Sequence, residues 1–266
     1  MKTTHIIEVK DLVKCYDKSD HNAVDGVSFT VKQAEFFGFL GPNGAGKSTT
    51  MNMLVHLVKK TSGTVKIDGF DVATQSQHVY ERIGFAMQEI GLDDTATAGE
   101  MLRLHGKLYH LTDAQIEERI AMLLKLVELE RVADQFTGTY SGGMKRRFDL
   151  ALALIHEPKV LFLDEPTVGL DPHARQLIWG HLRDLNKRGM TIFLTTHFME
   201  EAEQLCDRLA IIDNGKIVDE GSPKELIAKH KAKNLEEVFL KVTGHHLGEE
   251  TLNSAGADPY ARTTQR

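Results

Sequence analysis

Short apolar runs fill the first third of the chain and predict strands. The runs "IIEV" (6–9), "VSFTV" (27–31) and "EFFGFL" (35–40) are separated by polar residues, and the last is continuous, as in a strand buried on both faces. A glycine-rich loop, a helix from Lys47 and the short strand of "SGTVKIDG" (62–69) follow. Because strand, helix and strand alternate here, the pattern predicts a parallel α/β sheet.

The apolar period changes from two residues to about 3.6 between residues 93 and 157. Here "TAGEMLRLHGKLYHL" and "TDAQIEERIAMLLKLVEL" predict helices, and Thr112 precedes an acidic first turn as an N-cap residue does. The alternation of strands and helices then returns with "KVLFLDEP", a helix after Pro172, "MTIFLTTH" and a hairpin around "DNG" (213–215). The pattern therefore predicts a helical subdomain at about 89–157, inserted into an α/β core.

The C-terminal part of the chain has a different pattern. Two short amphipathic segments, "SPKELIAKH" and "LEEVFLKVTG", follow residue 222, and the last 16 residues, "TLNSAGADPYARTTQR", are polar. We therefore expect one large domain over 1–222 and a small extension over 223–266 whose tail frays.

Composition and charge narrow the possible partners. With 266 residues, 41% of them hydrophobic, the chain can bury a substantial core. The net charge is −6, and no cluster of Lys and Arg indicates a nucleic acid as the main partner. No apolar run approaches the roughly 20 residues of a membrane-spanning helix, and no signal peptide opens the chain. We therefore expect a chain that reaches a membrane, if at all, through a partner.

Metal ligands are sparse. Cys15 and Cys206 are far apart and in no metal-ligand spacing, which favours free thiols in a reducing compartment. His245 and His246 are adjacent, but no further ligands lie nearby in the sequence. We expect no metal site made of protein ligands alone.

The glycine-rich loop matches G-x-x-x-x-G-K-[ST] in the context that this pattern requires, after a strand and before a helix. Its backbone N–H groups and the helix N-terminus can bind phosphate oxygens, Lys47 can reach the β and γ phosphates, and the Ser48 hydroxyl can bind Mg²⁺. The alternative is a glycine-rich turn with no ligand. We interpret the loop as the binding site of a nucleoside triphosphate, formed by Gly41, Pro42, Asn43, Gly44, Ala45, Gly46, Lys47, Ser48 and Thr49.

A second group of candidate residues ends the apolar strand "VLFLDE". Asp164 is expected to organise Mg²⁺, and Glu165 to orient or deprotonate the attacking water. The alternative is a pair of acids that caps a turn before Pro166.

The segment "YSGGMKRRFDLALALIHEP" (140–158) predicts a second helix start suited to an anion. Ser141 is the expected N-cap, and Gly142 and Gly143 leave the next N–H groups accessible; we call these three residues the signature segment. A second phosphate-binding helix start in one chain is unusual. It is explained if the second site contacts a nucleotide that is bound by another copy of the protein. The pattern also predicts an apolar helix face of Met144, Phe148, Ala151 and Ile155, and a solvated face carrying Lys145, Arg146 and Arg147.

Together these motifs resemble the nucleotide-binding subunit of an ATP-binding cassette (ABC) transporter. The resemblance covers about residues 6–222 and adds "VGLD" (168–171), "TTH" ending at His197, "IGFAMQE" with Gln88, and "LVKCYDK" with Tyr16. It implies the ABC ATPase fold, that is, a P-loop α/β core with an antiparallel β portion and the inserted helical subdomain.

The resemblance also implies roles for further residues. Tyr16 stacks on adenine, Asp171 belongs to the nucleotide site, and His197 contacts the γ-phosphate. Gln88 joins the core to the insert, contacts Mg²⁺ and acts in catalysis with Glu165, His197 and Lys47. The alternatives are a packed tyrosine, a histidine at a strand end and a glutamine in an ordinary linker.

Two departures from the family pattern are informative. Tyr140 and Met144 replace the usual Leu and Gln around the signature segment, and this variant, with "THFMEEAEQLCDRLAIID" and "LEEVFLKVTG", resembles daunorubicin-resistance exporters. Ala34 stands where a glycine is usual, which puts the geometry of that turn in doubt.

The resemblance implies a subunit that hydrolyses ATP with Mg²⁺ and powers a separate membrane permease, which exports drugs or other hydrophobic or amphipathic compounds. Import is the alternative direction. The subunit acts at the cytoplasmic face of the cell membrane, as a head-to-tail pair with ATP between the copies. The permease would contact a groove after Gln88, where Ile90, Leu92 and Met101 either line the groove or belong to the core. The alternative is a soluble ABC ATPase of DNA repair, chromosome structure or translation. Against it, only about 100 residues separate Lys47 from Ser141, with no long coiled coil, and the chain holds one set of motifs.

Overall fold

The computed structural model describes residues 5–17, 19–89 and 91–244. Ile90, the histidine pair and the tail predicted to fray lie outside these residues. The strands described are β1 (His5–Cys15), β2 (Asn22–Lys32), β3 (Phe36–Leu40), β4 (Ser62–Ile67), β5 (Phe70–Asp71), β6 (Ile83–Ala86), β7 (Val160–Asp164), β8 (Thr191–Thr196), β9 (Arg208–Asp213) and β10 (Lys216–Gly221). The helices described are α1 (Lys47–Leu54), α2 (Ser76–Tyr80), α3 (Ala98–Leu108), α4 (Asp113–Leu126), α5 (Gly142–Leu154), α6 (Pro172–Lys187), α7 (Met199–Leu205), α8 (Pro223–Lys229) and α9 (Leu235–Thr243).

The strands form two sheets. A four-stranded antiparallel sheet has the order β2-β1-β4-β5, and a six-stranded sheet has the order β10-β9-β3-β8-β7-β6. In the larger sheet, β6, β7, β8, β3 and β9 run parallel, and β10 pairs antiparallel with β9 at the edge. The predicted α/β core with an antiparallel portion is confirmed.

One local prediction is wrong. The strand of "SGTVKIDG" was expected to extend the parallel sheet after α1, but β4 pairs antiparallel with β1, and Ile7 lies opposite Ile67. The reason is its alternation: Val65 and Ile67 are buried while Lys66 between them is exposed, so β4 has one apolar face. Strands β3, β7 and β8 are buried along their whole length and occupy the centre of the parallel sheet.

The helical segment lies in the chain between β6 and β7 and contains α3, α4 and α5. Thr97 and Thr112 form complete capping boxes at the starts of α3 and α4, which confirms the predicted N-cap at Thr112. The pattern did not predict β6, α2 or α7. These elements have four, five and seven residues, too few for a clear apolar period.

The two faces of the parallel sheet belong to two apolar clusters. On one face, Phe37, Phe39, Phe162 and Phe193 pack with residues of the antiparallel sheet, and Phe29 of β2 stacks on Phe37 at 5.5 Å between ring centres. The other face packs against helices of the insert, α6 and α7. Apolar residues of the last helices, Leu226, Leu235, Val238 and Phe239, are buried in this second cluster.

The turn before β3 forms although alanine replaces glycine. Ala34 has φ +59°, its N–H donates to the Thr191 hydroxyl at 2.9 Å, and its carbonyl accepts from Asn186 at 3.0 Å. Because a Cβ disfavours this left-handed conformation, Ala34→Gly is expected to raise the free energy of unfolding by about 0.5–1 kcal/mol. Chemical denaturation measures the change.

The matched control for this prediction is Ala121→Gly, an exposed position inside α4. It is expected to lower the free energy of unfolding by about 1 kcal/mol, because glycine is a poor helix former. A destabilised Ala34→Gly protein would show that this turn carries no strain.

Candidate active site

The glycine-rich loop (41–49), called the phosphate loop from here on, follows the end of β3 in the middle of the parallel sheet. Gly46, at φ +101°, caps α1 without a side-chain hydrogen bond, so the first N–H groups of the helix remain available to an anion. A Cβ at Gly46 would lie 2.5 Å from the Ala23 carbonyl, and one at Gly41 would lie 2.4 Å from the Ile212 carbonyl. These two glycines let the loop pack directly against the neighbouring backbone.

Two acidic residues at the end of β7 lie beside this loop. The Ser48 hydroxyl donates to Asp164 Oδ1 at 3.1 Å, and the Thr195 hydroxyl donates to the same oxygen. Parallel pairing of β7 with β8, and of β8 with β3, brings the carboxyl ends of these strands together. The fold therefore assembles Ser48 and Asp164 as their motifs predicted.

Glu165 occupies the centre of the site. Its side chain is 6% exposed; Oε1 lies 3.1 Å from Lys47 Nζ, and Oε2 lies 3.2 Å from His197 Nδ1. Burial alone would raise the pKa of Glu165, but hydrogen bonding to His197 and the charge of Lys47 outweigh burial and lower it. The carboxylate is therefore ionised at neutral pH and can accept a proton.

The backbone at Glu165 is strained, with φ +46°. A residue with a side chain adopts this conformation only where its surroundings enforce it, and such residues cluster at active sites. Here the Glu165 N–H donates to the Thr195 carbonyl at 3.1 Å, which fixes one side of the residue.

The oxygen atoms present fit a magnesium ion. Ser48 and Asp164 supply a hydroxyl and a carboxylate, the oxygen ligands that Mg²⁺ accepts beside phosphate and water. Within residues 5–17, 19–89 and 91–244, no group of three or more His, Cys, Asp or Glu side chains could hold a metal ion by itself. Beside Ser48 and Asp164, bound Mg²⁺ would take phosphate and water oxygens as ligands, and Gln88 is the further contact that the sequence predicts.

The signature segment lies beside the start of α6. Ser141 caps α5 by accepting from the Met144 N–H at 3.3 Å, as predicted, and Asp171 caps α6 by accepting from the Ala174 N–H at 2.9 Å. A Cβ at Gly143 would lie 3.3 Å from the Ala174 Cβ, whereas one at Gly142 would meet nothing within 4 Å. In the described part of the chain, no hydrogen bond joins the signature segment to the phosphate loop.

No hydrogen bond found among the described residues joins Tyr16 or Gln88 to the group around Glu165. Tyr16 follows β1, is 39% exposed, and has the Lys14 ammonium 4.7 Å from its ring centre. Gln88 is exposed, and no hydrogen bond found among the described residues involves its side chain. Their predicted contacts with a nucleotide stay predictions.

Comparison with known proteins identifies the family to which this architecture belongs. The family model described as ABC transporter matches residues 24–168. This chain belongs to the ABC transporter family. Its fold is the ABC ATPase fold, as the sequence motifs predicted.

Curated relatives of this family member include two proteins named Nod factor export ATP-binding protein I. The one from Rhizobium sp. (strain N33) is 48% identical over 220 residues, which cover 83% of this chain and 72% of that protein. The one from Ralstonia nicotianae is 44% identical over 237 residues, which cover 89% and 73% of the two chains.

Solved structures agree with the assignment. An ATP-binding subunit of an ABC transporter superposes with a TM-score of 0.81 at 30% identity, covering 89% of this chain and 99% of that one. A dimeric, post-hydrolysis ATP-binding cassette with ADP and Pi gives 0.74 at 28% identity, covering 81% and 98%. In the described part of this ABC ATPase, no helix is long and apolar enough to cross a membrane.

The expectation for the basic run at the start of α5 is wrong. Lys145, Arg146 and Arg147 were interpreted as a solvated face, but their side chains are only 26%, 6% and 16% exposed. The reason is that α5 is enclosed on several sides. Leu150 and Ala153, four and seven residues after Arg146, are apolar and indicate this second buried face.

Sequence reasoning also missed a buried carboxylate behind the site. Glu201 of α7 is fully buried, and its Oε1 accepts from the Thr167 hydroxyl at 2.8 Å and from Trp179 Nε1 at 2.9 Å. Burial raises its pKa, although hydrogen bonds from neighbouring side chains oppose the rise. Glu201 connects the segment after Glu165, α6 and α7; a glutamate four residues after His197 was the available signal.

Proposed function

We propose that this chain is the ATP-hydrolysing subunit of an exporter, and that two copies work together on a separate membrane permease. The observation that carries the proposal is the buried Glu165 carboxylate, which lies between Lys47 and His197 and beside the Ser48–Asp164 pair. A base, a phosphate-binding cation and a pair of Mg²⁺ ligands next to a phosphate loop are the groups that ATP hydrolysis requires.

Each group has a definite role in this proposal. The loop from Gly41 to Thr49 binds the phosphates, and the Lys47 ammonium stabilises the charge that develops on the β and γ phosphates. Mg²⁺ held by Ser48 and Asp164 would neutralise part of the phosphate charge. Glu165 accepts a proton from the attacking water, and His197 donates to the γ-phosphate.

The outlying residues complete the site in two ways. Tyr16 stacks on adenine, and such stacking tolerates other bases. Gln88 contacts the ion when the insert moves toward the core. Ser141, Gly142, Gly143 and Asp171 act on the nucleotide of a second copy, because no hydrogen bond found among the described residues joins the signature segment to the phosphate loop of its own chain. The dimeric ADP-bound cassette that resembles this chain supports such a pair, which has two-fold symmetry.

Export is supported by the relatives whose names contain it, and by the signature variant with Tyr140 and Met144. The variant favours drugs or other amphipathic compounds as cargo, with the subunit at the cytoplasmic face of the membrane. Of the residues predicted to line a groove or to belong to the core, Met101 is core at 8% exposure, and Leu92 packs partly against it. The exposed apolar residues of α3 are instead Leu104 and Leu108, one helical turn apart.

Cross-linking tests the permease. Single cysteines at Leu104 and Leu108, in a background without Cys15 and Cys206, are expected to form adducts with an integral membrane protein in native membranes, and ATP should change their yield. The control is Leu57→Cys. Leu57 is similarly exposed, at 56%, but it follows α1 of the α/β core and does not belong to the helical insert. Equal adducts from all three positions, or fractionation wholly with the cytosol when neighbouring membrane genes are expressed, would contradict a transporter subunit.

A further inference from the structure

One buried arginine joins α5 to the backbone on both sides of Glu165. Arg146 is buried; its Nη2 donates to the Asp164 carbonyl at 2.9 Å and its Nε to the Pro166 carbonyl at 2.8 Å. A third donor, Nη1, binds the Met87 carbonyl. This side chain takes no part in the proposed chemistry itself.

The guanidinium is suited to this position. Its donors are coplanar and at fixed spacing, so the carbonyls of residues 164 and 166 are held at a fixed separation. Asp149, three residues along the same helix, supplies the counter-charge at 3.3 Å. Burial raises the pKa of Asp149 to about 6 against the opposing effect of the Arg146 charge.

The residue between the two bound carbonyls is the strained one. Glu165 has φ +46°, a left-handed conformation that is unfavourable for a residue with a Cβ and persists under constraint. The Thr195 carbonyl constrains the Glu165 N–H, and Arg146 constrains the carbonyls before and after it. Release of these carbonyls would let residue 165 relax and move its carboxylate away from Lys47 and His197.

We infer that Arg146 is a positioning residue for ATP hydrolysis: it holds the Glu165 backbone and couples it to the start of α5. The signature segment begins α5 one turn before Arg146. When this segment contacts the phosphate of a nucleotide bound by a second copy, the contact is made by the same rigid turn that holds Glu165. Through its hydrogen bond to the Met87 carbonyl, Arg146 also connects the residue before Gln88 to the same turn. This inference rests on the proposed function, because it takes Glu165 to be the base.

The first test compares two neighbouring arginines. Arg147 is the matched control, because it also donates to a carbonyl, that of Val127 at 2.7 Å, but within the helical insert. We expect Arg146→Gln to lower kcat about 10- to 100-fold with KM within about threefold, since a displaced base slows chemistry more than binding. Arg147→Gln should keep kcat within about threefold.

Hydrogen exchange adds a local measurement. In Arg146→Gln, amide exchange should rise at residues 164–168 and stay unchanged in α4. If Arg146→Gln does not fold, Arg146→Lys replaces it: it keeps the charge beside Asp149 and can bind only one of the carbonyls well. Failure of both to fold, while Arg147→Gln folds, would make Arg146 a folding residue and overturn the inference.

A double-mutant cycle separates positioning from general stabilisation. If Arg146 acts through the Glu165 carboxylate, Arg146→Gln in a Glu165→Gln background should change the residual rate by less than about twofold. A further tenfold loss, or equal kcat losses in Arg146→Gln and Arg147→Gln, would overturn the inference and leave the base in place. Near-normal turnover of Glu165→Gln alone would instead contradict the proposed function, and the inference with it.

Discussion

Glu165→Gln is expected to lower ATP turnover by about two to four orders of magnitude while ATP binding stays near the parent level. The amide keeps the size of the carboxylate and its strained backbone, but it cannot accept a proton from water. Lys47 and the phosphate loop, which bind the nucleotide in the proposed function, are unchanged. Phosphate release under saturating ATP measures the first quantity, and titration with a fluorescent ATP analogue measures the second.

The control for this variant is Glu118→Gln, which removes an exposed carboxylate from α4. Its turnover should equal that of the parent, so that a loss specific to Glu165 reports the active site. If Glu165→Gln hydrolyses ATP at a near-normal rate, Glu165 is not the base, and the roles of Lys47 and His197 around it need another explanation.

Gly142→Asp should abolish the ATP-dependent pairing of two copies while each copy still binds ATP. A Cβ at this position would meet nothing within 4 Å in its own chain, so we expect the monomer to tolerate the substitution. In the proposed pair, the added carboxylate would face the γ-phosphate bound by the other copy. Two like charges about 4 Å apart repel by about 4 kcal/mol at an effective dielectric constant of 20, which weakens pairing about 10²–10³-fold.

Three variants control this experiment, which is carried out in a Glu165→Gln background so that bound ATP persists. Gly142→Asn has nearly the same shape without the charge and should pair much better than Gly142→Asp. Gly180→Asp places the same charge at another open position, on α6, and should pair normally. Lys47→Ala should lose nucleotide binding itself. Equal amounts of ATP-dependent dimer for Gly142→Asp and the parent, measured by sedimentation, would contradict the shared site.

The motifs predicted the central site because each depends on a local arrangement of backbone and side chains. The phosphate loop needs its glycines and Lys47 next to a helix start, and the strand with Asp164 and Glu165 needs an apolar run that ends in acids. Both patterns are complete within about ten residues of sequence. Thr195 could also have been found, because it precedes His197 by two residues and the same strand end delivers both.

Arg146 and β4 show where local pattern was insufficient. A run of three basic residues on a helix is most often solvated, and the partners that bury Arg146 lie 18, 20 and 59 residues away in the chain. The strand β4 follows a helix, as strands of parallel sheets do, yet its alternating burial assigns it to the antiparallel sheet beside β1. In both cases the deciding contacts are non-local.

By itself the sequence determined the fold class, the phosphate loop, the two acids and the starts of α1, α4 and α5, because caps, turns and periodicity act over a few residues. Only the tertiary structure decided that Glu165 lies between Lys47 and His197, that the signature segment lies beside the start of α6, and that Arg146 binds the carbonyls on both sides of Glu165. These arrangements depend on the order of strands in the sheet and on the packing of α5 against them. That order places residues more than 100 positions apart, such as Lys47 and Glu165, in direct contact.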